Sequence, residues 1–517
     1  MDDRHGRLSP LSPIDICLAL VIGLAALALY VRTLAPSLLW GDSAEFQTLS
    51  YTLGMTHQTG YATQIIFGKL FTLIPINGIA WRVNLMSAFF GALAVANTFL
   101  IVKLLTSSRV AASSAAFVLA LTDGFWWRAL VAESYAPAAG MLATVWLLFL
   151  LWRNTSKPQY LFLAGLAGGL SLGIHSTVVM TGASVLAVMA FTARKRAEWF
   201  SAAAGAILGV ALFLGFFFFL DYNDPPSSVH NTVFRANLSA VGLTESEYDS
   251  AWDRFKFIFP ANRASSYYFT ATPDVIHERL IEYVSYFPWW QLILTLVGIV
   301  WLFFDGRWRE GLYPLIAFLL IWGLAITVSF SIYREFYVPA TVITSVWFGA
   351  GAGAALSAWE RLTKLSQPSL RMTRVFISIV LIVLPIWNAR QDLSLAIEKG
   401  FTSFIRDNHI YPVFAPDKAI REAKRVINRV EDNAIVFTNW DKLYSYVYTA
   451  QIEEGKMGIA FHEVLDEGNQ ILPTTMMKYI DANIDARPIY FAIDIPELSE
   501  LYQVTKINDT LYRINRK

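Results

Sequence analysis

A single cysteine, Cys17, in 517 residues excludes an internal disulfide, so this chain is not held together by a covalent staple. Charge is scarce as well: 16% of residues are Asp, Glu, Lys or Arg, against about a quarter in an ordinary soluble domain. The net charge of +1 offers no bulk attraction to nucleic acid or to an acidic partner. The sequence has no internal repeat, no low-complexity tract and no glycine-rich nucleotide loop. No small-residue cleavage site follows the first apolar run, which reads as an uncleaved first span rather than a secretory signal.

What is abundant is apolar: 55% of the chain is hydrophobic. A bilayer-crossing helix needs about 20 mostly apolar residues, fewer inside a bundle. Runs of that kind lie near residues 14–31, 82–102, 110–122, 137–152, 159–174, 177–193, 199–220, 289–304, 312–330, 338–358 and 374–388. The fold class is therefore an α-helical polytopic membrane protein with about eleven transmembrane helices. Cytoplasmic loops are rich in Lys and Arg. Placing Arg4 and Arg7 inside makes each inner loop basic, through Lys103 and Arg109, Arg153 and Lys157, "ARKRAE" (193–198), "DGRWRE" (305–310) and Arg361, Lys364, Arg371 and Arg374. These loops are too short to hold an ATPase domain.

An odd count puts the remainder of the chain outside. Residues 1–389 then form the membrane domain, with outside loops 32–81 and 221–288, and residues 390–517 form a small soluble α/β domain. In the first loop "FGKLFTLIP" predicts an interfacial amphipathic helix. In the C-terminal part "PDKAIREAKRVINRV" predicts an amphipathic helix, and "AIVFT" and "PIYFAID" predict strands.

Ionisable and aromatic residues gather at the outer edge: Asp42, Glu45, His57 and Tyr61, then Arg128, Glu133 and Tyr135, then His175, Asp221 and Arg334. Such groups are costly near hydrocarbon and tend to face a wet cavity. Each has a plainer alternative. Asp42 and Glu45 fit a helix cap followed by an acid, Arg128 and Arg334 fit interfacial anchors, and a lone His175 fits a helix break. No ligand pair has zinc-like spacing; Asp42, Glu45 and Asp221 leave a divalent cation open without demanding one, and no cofactor is required. As a catalytic set, Asp42 would accept a proton from an acceptor hydroxyl, and Arg128, Arg334 or a protonated His57 would neutralise a phosphate leaving group. Single displacement of that kind inverts the anomeric centre, and the neighbouring helices suit a polyprenyl tail.

The block at 41–95, opening "GDSAEFQTLSYTLGMTHQTGY", resembles the start of a family of protein O-mannosyltransferase-like glycosyltransferases of the GT-C superfamily. Asp42, Glu45 and Phe46 match its first motif, His57, Gly60 and Tyr61 its second, and Trp81, Arg82, Asn84 and Ser87 its third. Trp126, Glu133 and Tyr135 in "FWWRALVAESYA" match another, and His175 in "LGIHST" a further one. "YREFYVPA" is similar to a late motif, and "AIVFTNWD" (434–441) to the start of the family's soluble C-terminal region. Gln58, Thr59 and Ala62 stand where the family has prolines, which implies a less rigid loop; Arg128 is not a family position. The resemblance implies a GT-C-like fold, a sugar donor on a polyprenyl phosphate, inverting transfer and Asp42 as base. The catalytic set is then Asp42, Glu45 and Glu133. Donor-phosphate and substrate binding fall to His57, Tyr61, Arg128, Tyr135, His175, Asp221 and Arg334. Implied partners are the lipid-linked donor, a protein, glycan or lipid acceptor, and membrane lipids. A bacterial inner membrane with a periplasmic C-terminal domain is expected, or the ER membrane in a eukaryote. A transporter or lipid flippase, or a non-catalytic lipid-binding scaffold, is the alternative. A transporter, however, predicts charge at mid-membrane, and here the central thirds of the runs are nearly free of it.

Overall fold

The computed structural model describes residues 8–259, 269–329, 333–362, 367–404, 415 and 417–517. Arg4, Arg7 and Lys364, used above to assign sides, lie outside them. Among the described residues seven helices are long and apolar enough to cross a membrane: Pro13–Arg32, Ile79–Thr106, Tyr135–Thr155, Arg196–Asn223, Trp308–Thr327, Tyr333–Trp359 and Arg371–Asn388. Pro273–Ser285 and Trp289–Phe304 make an eighth span if this pair, bent by 101°, is counted as one. The reading of about eleven spans includes shorter helices, Arg109–Leu121, Pro158–Leu170 and Ser176–Thr192, of 13, 13 and 17 residues. The protein is thus an integral α-helical membrane protein.

The chain divides into two compact units. The first comprises Met1–Leu34, Ser87–Phe213 and Ser266–Phe404; the second comprises Ala35–Met86, Leu214–Ser265 and Ile405–Lys517.

In the first unit, charges at helix ends are matched rather than left to solvent. Asp15 accepts from Arg109 Nε at 2.7 Å and lies 3.9 Å from Lys103 Nζ, while Arg153 pairs with Glu310 at 2.9 Å. Three of the basic residues that mark sidedness therefore also hold helices together. Without a hydrophobic drive between helices in lipid, close packing needs small residues at the contact. Helices Trp289–Phe304 and Tyr337–Leu362 meet that way. A Cβ on Gly298 would stand 1.9 Å from the Trp347 carbonyl oxygen, and one on Gly351 would stand 1.8 Å from that of Leu294.

The second unit holds helices Gly41–Thr52 and Ala62–Thr72 and a five-stranded sheet. Ala62–Thr72 begins the amphipathic stretch expected around "FGKLFTLIP": it buries Ile65 and Gly68, while Leu70 is exposed and so is Leu73 just beyond it. The strands are β1 (Ile435–Thr438), β2 (Ala460–Glu463), β3 (Ile489–Phe491), β4 (Gln503–Asn508) and β5 (Leu511–Asn515), in the order β2-β1-β3-β5-β4. β1 runs parallel to β2 and β3, while β5 is antiparallel to β3 and β4. Buried on both faces, β1 reads as an unbroken apolar run, as parallel central strands do. Ile435, Phe437, Ile489, Phe491 and Ile514 pack there with Met476 and Ile480 of the helix Thr474–Asn483. The predicted helix at "PDKAIREAKRVINRV" is Lys418–Ile427, which buries Ala419, Ala423, Val426 and Ile427.

Overpacking a helix contact costs about 1–3 kcal/mol or more. Gly351→Val is expected to lower the unfolding free energy in detergent by at least that much, and the unfolding midpoint with it. Gly323→Ala, with nothing within 4 Å of the added Cβ, should stay within about 0.5 kcal/mol of wild type. Equal midpoints for the two variants would contradict this account of the contact.

Candidate active site

The first-loop acids sit in the second unit. Trp40, in extended conformation, precedes the helix Gly41–Thr52 and supplies no side-chain cap. Asp42 therefore lies inside the first turn, where the helix dipole favours a carboxylate, but it does not cap. The turn is fixed from behind by a chain of amides. The Leu39 N–H donates to Gln47 Oε1 at 3.0 Å, Gln47 Nε2 to Asn84 Oδ1 at 2.9 Å, and Asn84 Nδ2 to the Ala35 carbonyl at 2.8 Å. Arg82, two residues before Asn84, donates to the carbonyls of Thr72, Ile76 and Asn77. Arg82 is thus occupied with backbone, and Asn84 with backbone and the Gln47 amide.

Glu45, one turn after Asp42, is completely buried, whereas the side chains of Asp42 and His57 are 23% and 26% exposed. Both Glu45 oxygens are spent on His57: Oε1 accepts the His57 backbone N–H at 2.7 Å, and Oε2 lies 2.5 Å from Nδ1. The other ring nitrogen, Nε2, faces Asp42 Oδ2 at 3.9 Å. That gap exceeds a direct hydrogen bond and suits a bridging hydroxyl. Burial pushes the Glu45 carboxyl above the usual carboxylate range, and the His57 imidazole pulls it only part of the way back. Phe46 and Tyr61 wall the imidazole, with ring centroids at 6.3 and 5.1 Å from it.

The loop that carries His57 keeps its shape without the family's prolines. Gln58 Nε2 donates to the Phe257 carbonyl at 3.0 Å, and the Gly60 N–H to that of His57 at 2.7 Å. Gly60 has φ +85°, and a Cβ there would stand 2.8 Å from the Phe217 ring, so both conformation and space call for glycine.

The other oxygen of Asp42 is held from the distant end of the chain. Trp440, at the start of the helix Trp440–Tyr448 that follows β1, donates its indole N–H to Asp42 Oδ1 at 2.8 Å. The same ring packs edge-on to His57 at 5.3 Å and to Tyr444 at 5.6 Å. Tyr444 meets Thr232 Oγ1 at 3.1 Å. Burial and the Glu45 charge hold its hydroxyl far above the normal tyrosine range. Asp441 is likewise pushed up by burial, with Asp42 adding to it. Trp440, Asp441 and Tyr444 are the residues that sequence reasoning did not single out; the likeness of "AIVFTNWD" to a family segment was the available signal.

Asp221 belongs to the same unit but to another network. Arg254 grips it with two bonds of 2.7 Å, and His230 Nε2 lies 3.0 Å from Oδ1. Among the described residues no three His, Cys, Asp or Glu side chains are grouped to hold a metal ion.

The remaining candidates lie in the first unit. Arg128 is ion-paired with Glu335 and stands 5.9 Å over the Tyr135 ring. Tyr135 packs on His175 at 5.1 Å, and His175 on Phe336 at 5.3 Å. His175 caps the helix Ser176–Thr192, its Nδ1 accepting the Thr177 N–H at 3.3 Å. Glu133 is buried, and its carbonyl accepts from Ser87 Oγ at 3.4 Å. Arg334 pairs with Glu282 at 2.6 Å and is half exposed.

Residues 42–199 match the family described as the "Protein O-mannosyl-transferase TMEM260 N-terminal domain". The mouse protein O-mannosyl-transferase TMEM260 is 34% identical over 110 residues, covering 21% of this chain and 16% of that protein. Its Dictyostelium discoideum counterpart is 24% identical over 123 residues, covering 23% and 15%. Each match thus reaches about a sixth of the relative's own length. Among solved structures, ArnT from Cupriavidus metallidurans bound to undecaprenyl phosphate superposes with a TM-score of 0.55 at 12% identity, covering 97% of both chains. The Archaeoglobus fulgidus oligosaccharyltransferase gives 0.55 at 12%, covering 96% of this chain and 73% of that one. The fold is an ArnT-like GT-C fold, and the O-mannosyltransferase-like resemblance read from the sequence holds over residues 42–199.

A carboxyl with a raised pKa binds its proton more tightly in the folded protein than in the unfolded chain. Its contribution to stability therefore falls as pH rises above the unfolded glutamate value of about 4.3. Glu45→Gln is expected to flatten the stability profile above about pH 4.3. Unfolding midpoints of both proteins across that range check this; superimposable profiles would contradict it.

Proposed function

We propose that this chain, a GT-C-fold membrane protein carrying the TMEM260-type N-terminal domain over residues 42–199, is an inverting glycosyltransferase. It moves a sugar from a polyprenyl-phosphate-linked donor to an acceptor hydroxyl on the extracytoplasmic side of the membrane. The observation that carries this reading is the setting of Asp42. One oxygen is fixed by the Trp440 indole at 2.8 Å, and the other faces His57 across a 3.9 Å gap, both side chains being partly exposed.

Asp42 Oδ2 takes the acceptor proton as the acceptor oxygen bonds to the anomeric carbon. The bond from that carbon to the phosphate oxygen breaks on the opposite face and leaves its electron pair on the phosphate, so configuration inverts. Glu45 is a positioning residue: fully buried, it holds the imidazole so that Nε2 lines the acceptor side. Arg128 and Arg334 each stand in a carboxylate pair, so donor binding at either guanidinium means exchanging a carboxylate for a phosphate. The scheme calls on side chains alone and requires no cofactor. The relatives' names favour a mannosyl group and a protein acceptor, and the undecaprenyl phosphate named with ArnT favours a polyprenyl donor. Sidedness follows from the basic loops, which puts Asp42 in the periplasm of a bacterium or the lumen of the ER.

The test is transfer by membranes supplied with a panel of labelled polyprenyl-phosphate sugars. Asp42→Asn, at matched protein level, is expected to lose about 10²- to 10⁴-fold in rate while still binding donor. Trp440→Phe should lose about tenfold, since it removes one hydrogen bond worth roughly 1.4 kcal/mol in the transition state. Full activity in Asp42→Asn would sink the general-base role. A wild type that transfers nothing from any donor would sink the enzyme reading.

A further inference from the structure

The large loop of the second unit contains a cavity of about 430 Å³, lined by Asp224, Asn231, Arg235, Glu245, Tyr248 and Arg254. The size is that of a small-ligand site, about 300–1,000 Å³, but such sites are mostly apolar and this one is mostly charged. Its wall is pre-set. Arg254 is clamped by Asp221 and donates to the Asp249 carbonyl at 2.7 Å. Tyr248 Oη meets His230 Nδ1 at 2.6 Å, and Asn231 Nδ2 donates to Asp224 Oδ1 at 3.0 Å. Three lining groups are not spent this way: Arg235, Glu245 and the Asp249 carboxylate are exposed and have no ion pair or side-chain hydrogen bond among the described residues.

We infer that this cavity binds a neutral saccharide unit of the acceptor, beyond the hydroxyl that is glycosylated. A sugar hydroxyl both donates and accepts, so vicinal hydroxyls are satisfied by acceptor-only carboxylates and donor-only guanidinium groups set side by side. An anion would be opposed by Asp224, Asp249 and Glu245, and a dication by Arg235 and Arg254. Leu238, the one aliphatic side chain of the lining, offers too little surface for a polyprenyl tail. The place fits as well. The cavity and the acid cluster flank one π-helical turn, His230–Phe234, a rare element found mostly at functional sites. His230 and Asn231 line the cavity, while Thr232 bonds Tyr444 beside Trp440 and Asp42. The role given to the saccharide rests on the transferase reading; its chemistry rests on the cavity alone.

Purified full-length protein in detergent, probed by saturation-transfer NMR with methyl glycosides of mannose, glucose, galactose and N-acetylglucosamine, tests this. At least one glycoside is expected to bind, and Arg235→Ala/Glu245→Gln to weaken it at least tenfold with an unchanged unfolding midpoint. No binding by any glycoside, binding that survives the double variant, or binding of inorganic phosphate in their place overturns the inference. Sugar transfer by the same preparation separates the two readings. Transfer without glycoside binding removes the cavity's role alone, and glycoside binding without transfer from any donor removes the transferase reading alone.

Discussion

A carboxylate with no exposure to water cannot be left unmatched, and the second unit is organised around meeting that demand at Glu45. Removing one partner of a buried charge pair typically costs about 3–5 kcal/mol. Here a single residue answers both oxygens: His57 offers its backbone N–H and its Nδ1. The loop must therefore fold back until His57 lies one helical turn from the start of the helix, and the ring has no freedom left to choose which nitrogen it turns towards Asp42. The Phe46 and Tyr61 rings, the positive φ of Gly60 and the Gln58 bond to Phe257 all serve that one placement.

The chemistry available to Asp42 follows from a different kind of contact. Its partner at 2.8 Å is a neutral indole, which donates one hydrogen bond and carries no charge. Arg128 and Arg334 of the first unit and Arg254 of the second stand against carboxylates instead.

Much of this was legible in the chain itself. Apolar runs locate the membrane helices because lipid and backbone together allow little else. Among the described residues seven or eight of the about eleven expected spans meet the full length of a crossing helix, while segments such as Arg109–Leu121 are shorter and largely buried. Asp42, Glu45 and His57 were legible as a set because they lie within 16 consecutive residues on a helix and the loop after it. Arg82 and Asn84 belong to the same motif, yet nothing in the sequence separates their work on backbone carbonyls from chemistry. Trp440 was not legible from spacing, since it meets Asp42 across a separation of 398 residues. The pairing of Arg128 with Glu335 is hidden for the same reason, at 207 residues. The Asp221 network escapes a sequence reading because its partners, His230 and Arg254, sit on separate short helical turns, His230–Phe234 and Ala251–Ile258, 9 and 33 residues further on.

The reach of Trp440 also sets an order of events. Synthesis of the helix with Asp42 precedes that of the indole that orients it by 398 residues. The intervening membrane helices must be inserted first, and β1 must then place Trp440 at its carboxyl end. Until then the acid lacks its fixed orientation, whatever the state of the membrane helices. A half-made chain in the membrane thus already has the acid but not the geometry around it.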